Sequence, residues 1–283
     1  MATIEENVLM QSPGVTSTPA SACVKWHAIT HRGLVRENNE DALCIETKNH
    51  HEQESYLMAV ADGLGGHVGG AIASQLALKI VQDEFQSCLG RTNGSFITRA
   101  IRQANLEIYN TARSKPALFN MQTTLTAVTL EYDSLTVGHV GDCRLFRVRN
   151  SRIELLTRDH TLASDLLQLH LITPEQAWQH PGRHQLTRSL GADILLRIDL
   201  FHQRIMPGDT YLLCSDGLWA EVALEDIKNI MQRGEIDKGC EELVESVLRA
   251  GAPDNLSGIL FRVIHVPKQP AAFSWRTIFR GGV

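Results

Sequence analysis

The chain has 283 residues, is 43% hydrophobic and carries a formal net charge of -5 at pH 7. That length and apolar content suffice for one sizeable core, and the charge gives no sign of a nucleic-acid surface. Six cysteines without any Cys-x-x-Cys spacing argue against a zinc ribbon or a disulfide scaffold and for a reducing, cytoplasmic setting.

Residues 1–22 are rich in Ser, Thr, Pro and Ala and read as a flexible N-terminal tail. No signal peptide is expected, because Glu5 and Glu6 stand where basic residues belong and no long apolar stretch follows. No run is long enough to predict a membrane span. Strands are predicted over 24–30, 42–47 and 56–61. Two amphipathic helices follow, one with Ile72, Leu76, Ile80 and Phe85 on its apolar face, the other with Phe96, Ile97, Ala100, Ile101, Ala104 and Ile108. Strands return over 123–130, 135–140, 144–149 and 152–155, with Asn150-Ser151 as a tight turn between the last two. Short helical pieces over 162–169 and 174–178 lead to strands over 195–202 and 210–214. Helices over 224–231 and 238–250 precede a last strand over 257–265. Runs of strands broken by helix pairs predict an α+β domain of antiparallel sheets with helices outside. That domain spans 23–266. The C-terminal tail, 267–283, mixes Phe273, Trp275, Ile278 and Phe279 with Arg276 and Arg280, and reads either as a frayed or packed end or as a docking segment.

Four acidic motifs punctuate these elements: Arg36-Glu37-Asn38-Asn39-Glu40-Asp41, Asp62-Gly63-Leu64-Gly65-Gly66-His67, Asp216-Gly217 and Asp254-Asn255. The apolar run 56–61 leads into Asp62-Gly63, and 209–215 leads into Asp216-Gly217. Each reads as a buried strand ending in a carboxylate and a glycine turn. Such a carboxylate is costly to bury alone, and two of them meeting would repel unless a cation lay between. The simplest account is a polynuclear metal site with oxygen ligands. Gly65-Gly66-His67-Val68-Gly69-Gly70-Ala71 is not a phosphate-binding Walker loop, which needs Lys and then Ser or Thr after the last glycine, and Val68 breaks a dinucleotide-binding pattern.

Together with Gly141-Asp142-Cys143-Arg144, Asp159-His160-Thr161, Leu186-Thr187-Arg188-Ser189-Leu190-Gly191 and Asp254-Asn255-Leu256-Ser257, these motifs resemble, in order, the metal-dependent type 2C serine/threonine protein phosphatases, in their bacterial branch. The resemblance covers roughly residues 25–265. It implies an αββα sandwich, two antiparallel sheets flanked by helix pairs, with two Mn2+ or Mg2+ ions in a cleft at one sheet edge. Hard oxygen donors suit such ions, which at ~3.5–4 Å separation can hold a bridging water and aim it at phosphorus. By resemblance, Asp62 bridges both ions and the Gly63 carbonyl binds one. Asp216 and Asp254 complete the first ion's shell, and Asp41 with Glu40 supports the second. Asp142 joins a third, weaker metal site with Asp216. Arg36 holds the substrate phosphate through a guanidinium fork. His67 is the candidate general acid for the leaving oxygen, with His160 as its competitor. Cys143 replaces the usual serine and reads as a buried thiol or an oxidation handle. Residues 161–184 match a flap near the active site, where His170 replaces a small residue and Trp178 is unusual. The implied activity is hydrolysis of phosphoserine and phosphothreonine in proteins by a monomeric enzyme opposing a serine/threonine kinase. The alternatives are a pseudophosphatase that binds phosphorylated partners without turnover, and a phosphatase for small metabolites.

Overall fold

The computed structural model describes residues 23–50, 53–65, 69–88 and 92–267. Strand β1 (Val24–His31) opens a first sheet, and β2 (Ala42–His50) and β3 (Gln53–Ala61) begin a second. The short β4 (Gly63–Leu64) leads to helices α1 (Gly69–Ser87) and α2 (Gly94–Ser114). Next, β5 (Gln122–Thr123) pairs with β4, and β6 (Leu125–Glu131) and β7 (Ser134–Val140) extend the second sheet. Strands β8 (Arg144–Arg149) and β9 (Arg152–Leu155) form a hairpin on the first. Its turn places Asn150 at φ 49° and Ser151 at φ 60°, the twist that suits a two-residue hairpin. Helices α3 (Leu162–Gln168) and α4 (Pro174–Gln179) precede β10 (Asp199–Arg204) on the second sheet and β11 (Thr210–Cys214) on the first. Helices α5 (Asp216–Trp219), α6 (Leu224–Gln232) and α7 (Ile236–Arg249) lead to β12 (Leu256–Val263).

The first sheet runs β1-β12-β11-β8-β9 and the second β10-β7-β6-β3-β2, each strand antiparallel to its neighbours. Side-chain alternation then builds three apolar layers. From β3, Tyr56, Met58 and Val60 face the other sheet, where Tyr211, Leu213, Ile259 and Phe261 meet them. Leu57, Ala59 and Ala61 face α1 and α2, packing with Ala73, Ala77, Phe85, Ile97 and Ile101. From β11, Leu212 and Cys214 face α6 and α7 beside Ile227, Leu243 and Val247. Both faces of β3 and β11 are therefore buried, which is why their sequences read as unbroken apolar runs. The architecture is the expected α+β sandwich of four layers, αββα.

Two expected strands differ. The segment over 123–130 divides into β5 and β6 at Thr124, whose backbone N–H turns to donate to the Asp62 carbonyl at 2.8 Å. The strand expected over 195–202 begins only at Asp199. Ahead of it, Asn105 of α2 donates its side-chain amide to the carbonyls of Asp193 (2.9 Å) and Ile194 (3.3 Å), holding that segment to the helix, and Leu195 stays 88% exposed. The expected tail over 1–22, and the expected tail over 267–283 apart from Pro267, lie outside the described residues.

Candidate metal centre

Strand ends of both sheets converge at one edge of the sandwich. Asp62 follows β3, and its backbone is fixed on both sides. Its N–H donates to Thr124 Oγ1 at 2.9 Å, and its carbonyl accepts from Thr123 Oγ1 at 2.9 Å. Asp41 stands just before β2, Asp142 between β7 and β8, Asp216 at the start of α5 and Asp254 two residues before β12. Burial pushes the Asp62 carboxyl well above the carboxylate range, and the charges of Asp41, Asp216, Asp142 and Asp254 push it the same way. Burial, with Asp216 and Asp159, raises Asp142 as well. The Asp41 carboxyl is pushed up to about 7, chiefly by burial, despite accepting the Ser215 hydroxyl at 2.7 Å. Five acids thus share one electrostatic neighbourhood.

Glycines make the convergence sterically feasible. A Cβ at Gly63 would overlap the Gly70 carbonyl, and one at Gly217 would overlap the Asn255 carbonyl. Gly70 lies against the Glu40 carboxylate, which therefore sits at the N-terminal turn of α1, where an anion is favoured. Glu40 is anchored by its backbone: its N–H donates to Asn255 Oδ1 at 2.9 Å and its carbonyl accepts the Ser74 hydroxyl at 2.6 Å. The Asn255 amide also donates to the carbonyls of Arg32 (2.8 Å) and Asn38 (2.9 Å), so one side chain clamps the whole 32–40 loop.

Arg36 donates to Asp254 Oδ2 at 2.7 Å and lies within electrostatic range of Glu40 and Asp62. The arginine expected on the substrate phosphate is thus held at the acid cluster, with 54% of its side chain exposed to solvent. Among the described residues, no three His, Cys, Asp or Glu side chains form a ready-made metal cage. Asp254 and Asp41 instead direct oxygens to Arg36 and Ser215. The donor chemistry still fits hard divalent cations: five carboxylates, the glycine-lined approach at Gly63 and, among the described residues, no cysteine or histidine cluster.

His67 lies outside the described residues. His160 is fully buried: Nδ1 accepts the Gly141 N–H at 3.1 Å, and Nε2 lies 3.2 Å from Asp199 Oδ2 and 3.1 Å from Arg188 Nη1. Burial lowers its pKa. Both ring nitrogens thus have partners within the fold around the Gly141 turn. Cys143 is buried against Thr124 Oγ1 at 3.2 Å, and burial raises its thiol well above the ordinary value, so it stays protonated.

Sequence reasoning missed the roles of Ser215, Thr124 and His184. The last places Nδ1 3.5 Å from Asp216 Oδ2. Ser215 had a signal, since it precedes the Asp216-Gly217 turn; His184 had none.

Comparison with known proteins agrees with this architecture. The family model "Protein phosphatase 2C" matches residues 31–260. The serine/threonine protein phosphatase PstP of Mycobacterium tuberculosis is 34% identical over 242 residues, covering 85% of this chain; the chain spans 45% of the length of that relative. The serine/threonine phosphatase stp of Listeria monocytogenes is 30% identical, with 82% of this chain and 92% of its own length covered. The catalytic domain of PstP, solved in complex with two manganese ions, superposes with a TM-score of 0.76 at 32% identity, covering 85% of this chain and 98% of that one. On the match over 31–260 and the shared fold, this chain belongs to the protein phosphatase 2C family.

Proposed function

We propose that this protein hydrolyses phosphoserine and phosphothreonine in proteins, using two Mn2+ or Mg2+ ions, with residues 23–266 as the catalytic domain. The observation that carries this reading is the convergence of Asp41, Asp62, Asp142, Asp216 and Asp254, with carboxyl pKa values raised by burial and mutual repulsion at Asp41, Asp62 and Asp142. Asp62 would hold both ions and the Gly63 carbonyl one of them, with Asp216 and Asp254 completing the first ion's shell and Asp41 with Glu40 supporting the second. Asp142 with Asp216 would offer a third, weaker site. When bound, the ions supply the positive charge that the acids lack and activate water for attack on phosphorus. Arg36 orients the phosphate by exchanging its Asp254 partner for phosphate oxygens. His67 delivers a proton to the departing serine or threonine oxygen.

The family match and the manganese-bound PstP catalytic domain support the reading. We further infer a monomer that opposes a serine/threonine kinase in the cytoplasm. All six cysteines are free thiols, and among the described residues no helix is long and apolar enough to cross a membrane. The test is turnover of p-nitrophenyl phosphate and of phosphothreonine peptides with Mn2+, paired with calorimetric Mn2+ titration of the chelator-treated protein. Metal-dependent turnover with saturable binding is expected. Full turnover in excess chelator would overturn the metal assignment.

A further inference from the structure

A cavity of about 310 Å3 lies between the α3–α4 segment and the first sheet. Its volume stands at the low end for ligand sites, which suits one side chain or a small molecule. His184 lines it and also lies 3.5 Å from Asp216, so the cavity adjoins the acid cluster. Ala163, Leu167, Pro174, Ala177 and two indoles, Trp178 and Trp219, give it an apolar lining.

Three guanidinium groups reach its wall, and each is in a different state. Arg144 is paired with Asp159 at 2.7 Å and stacked 3.4 Å from the Trp219 ring centre, so it is already satisfied. Arg183 donates to the Trp178 carbonyl at 3.2 Å and holds its cation 5.9 Å from the Trp178 ring. Arg158 is ion-paired with Asp199 at 3.7 Å, and its buried Nη1 has no hydrogen-bond partner among the described residues. Meanwhile Trp178 remains 55% exposed on a helix held rigid by the Thr173–Gln176 capping box and Pro174. An indole left half in water, on a firm support, beside an apolar cavity and a cation, is a stacking platform without a guest.

We propose that this cavity is a specificity subsite that takes an aromatic side chain of the phosphoprotein substrate, close in sequence to the phosphorylated residue. The proposal rests on the phosphatase reading above. An aromatic guest stacks on Trp178 and offers its π face to guanidinium groups, which an aliphatic side chain does not. An acidic guest fits less well, because Asp159 already lies in the wall and neutralises Arg144. Proximity through His184 places the guest within a few residues of the reacting phosphate.

The experiment compares phosphothreonine peptides in which Phe or Ala is placed in turn at each of the flanking positions. Wild-type enzyme with Mn2+ should prefer Phe at one position by about tenfold or more in kcat/KM, the scale of one side-chain pocket contact. Trp178→Ala, which removes the platform, and Ala177→Phe, which fills the cavity, should each erase that preference. Both should leave p-nitrophenyl phosphate turnover within about twofold, since that substrate carries no flanking side chain to seat in the cavity. A flat position profile in wild type, or a preference that survives both variants, overturns the subsite while the phosphatase reading stands. No turnover of either substrate class by wild type overturns the phosphatase reading and the subsite with it.

Discussion

The Ser215 hydroxyl donates to Asp41 Oδ2 at 2.7 Å, and its oxygen accepts the Ser257 N–H at 2.9 Å. One side chain therefore ties the acid ahead of β2 to the adjoining ends of β11 and β12. Ser215→Ala removes a charge-assisted bond and leaves a buried N–H unpaired, a loss of about 1.5–3 kcal/mol. The variant should fold, melt at lower temperature and bind Mn2+ more weakly. Urea titration and calorimetry measure the two effects separately.

Asp62→Asn should stabilise the metal-free protein at alkaline pH while abolishing turnover. Burial and neighbouring carboxylates raise the folded pKa of Asp62 above its unfolded value of about 3.9. The folded state then holds a proton that the unfolded state releases, so stability falls as pH rises above that value. Buried His139 and His160 act oppositely, costing stability as pH falls below 6.5, but they are common to both proteins and cancel in the difference. In chelator, the variant should be the more stable protein at pH 8, with the gap closing toward pH 4. Mn2+ should raise the wild-type Tm and raise that of the variant less. A wild type that outlasts the variant in chelator at pH 8 would count against the assignment.

Arg36→Ala separates substrate binding from metal binding. The variant loses a phosphate contact worth about 1.5–3 kcal/mol, so kcat/KM for a phosphopeptide should drop roughly ten- to a hundredfold. It also frees the Asp254 carboxylate from its ion pair, so Mn2+ affinity should hold or rise. Parallel loss of both would show that Arg36 supports the metal ligands instead.

His67→Ala and His160→Ala should differ in kind. A serine alkoxide needs a proton to leave and p-nitrophenolate does not. The first variant should thus lose about 10²–10⁴-fold on phosphoserine peptides and far less on p-nitrophenyl phosphate. The second leaves the Gly141 N–H without its acceptor in a buried site, at a cost of about 1–3 kcal/mol in stability. Its activity loss should be equal on both substrates. A leaving-group-dependent loss in His160→Ala would reverse the two roles.

The apolar runs into Asp62-Gly63 and Asp216-Gly217 were legible because strands buried on both faces carry an unbroken signal, and the glycines beside the acids mark close backbone approach. The Asn150-Ser151 turn was legible for a local reason too. What escaped is long-range. Asn255 clamps a loop more than two hundred residues away, and Ser215 reaches Asp41 across 174 positions. Neither pairing leaves a periodic trace. The late start of β10 escaped because Ile194-Leu195-Leu196 has strand composition, whereas Asn105, on a distant helix, decides its path. His160 stands in sequence as the competitor of His67, and only the fold shows that it is buried with partners at both ring nitrogens.

Asp41 and Asp62 border strands of the second sheet, Asp216 and Asp254 border strands of the first, and Asp142 lies on the link between them. Like charges therefore face each other across the seam of the sandwich at one end, while stacked Tyr211 and Phe261 close its interior. Without cations that end is a wedge; the cations proposed above would make it a rivet. Amide hydrogen exchange should show it: chelation should loosen the Asp62 end of β3 and the Ser215 end of β11 together, and leave the amides around Tyr56 and Tyr211 as slow as before.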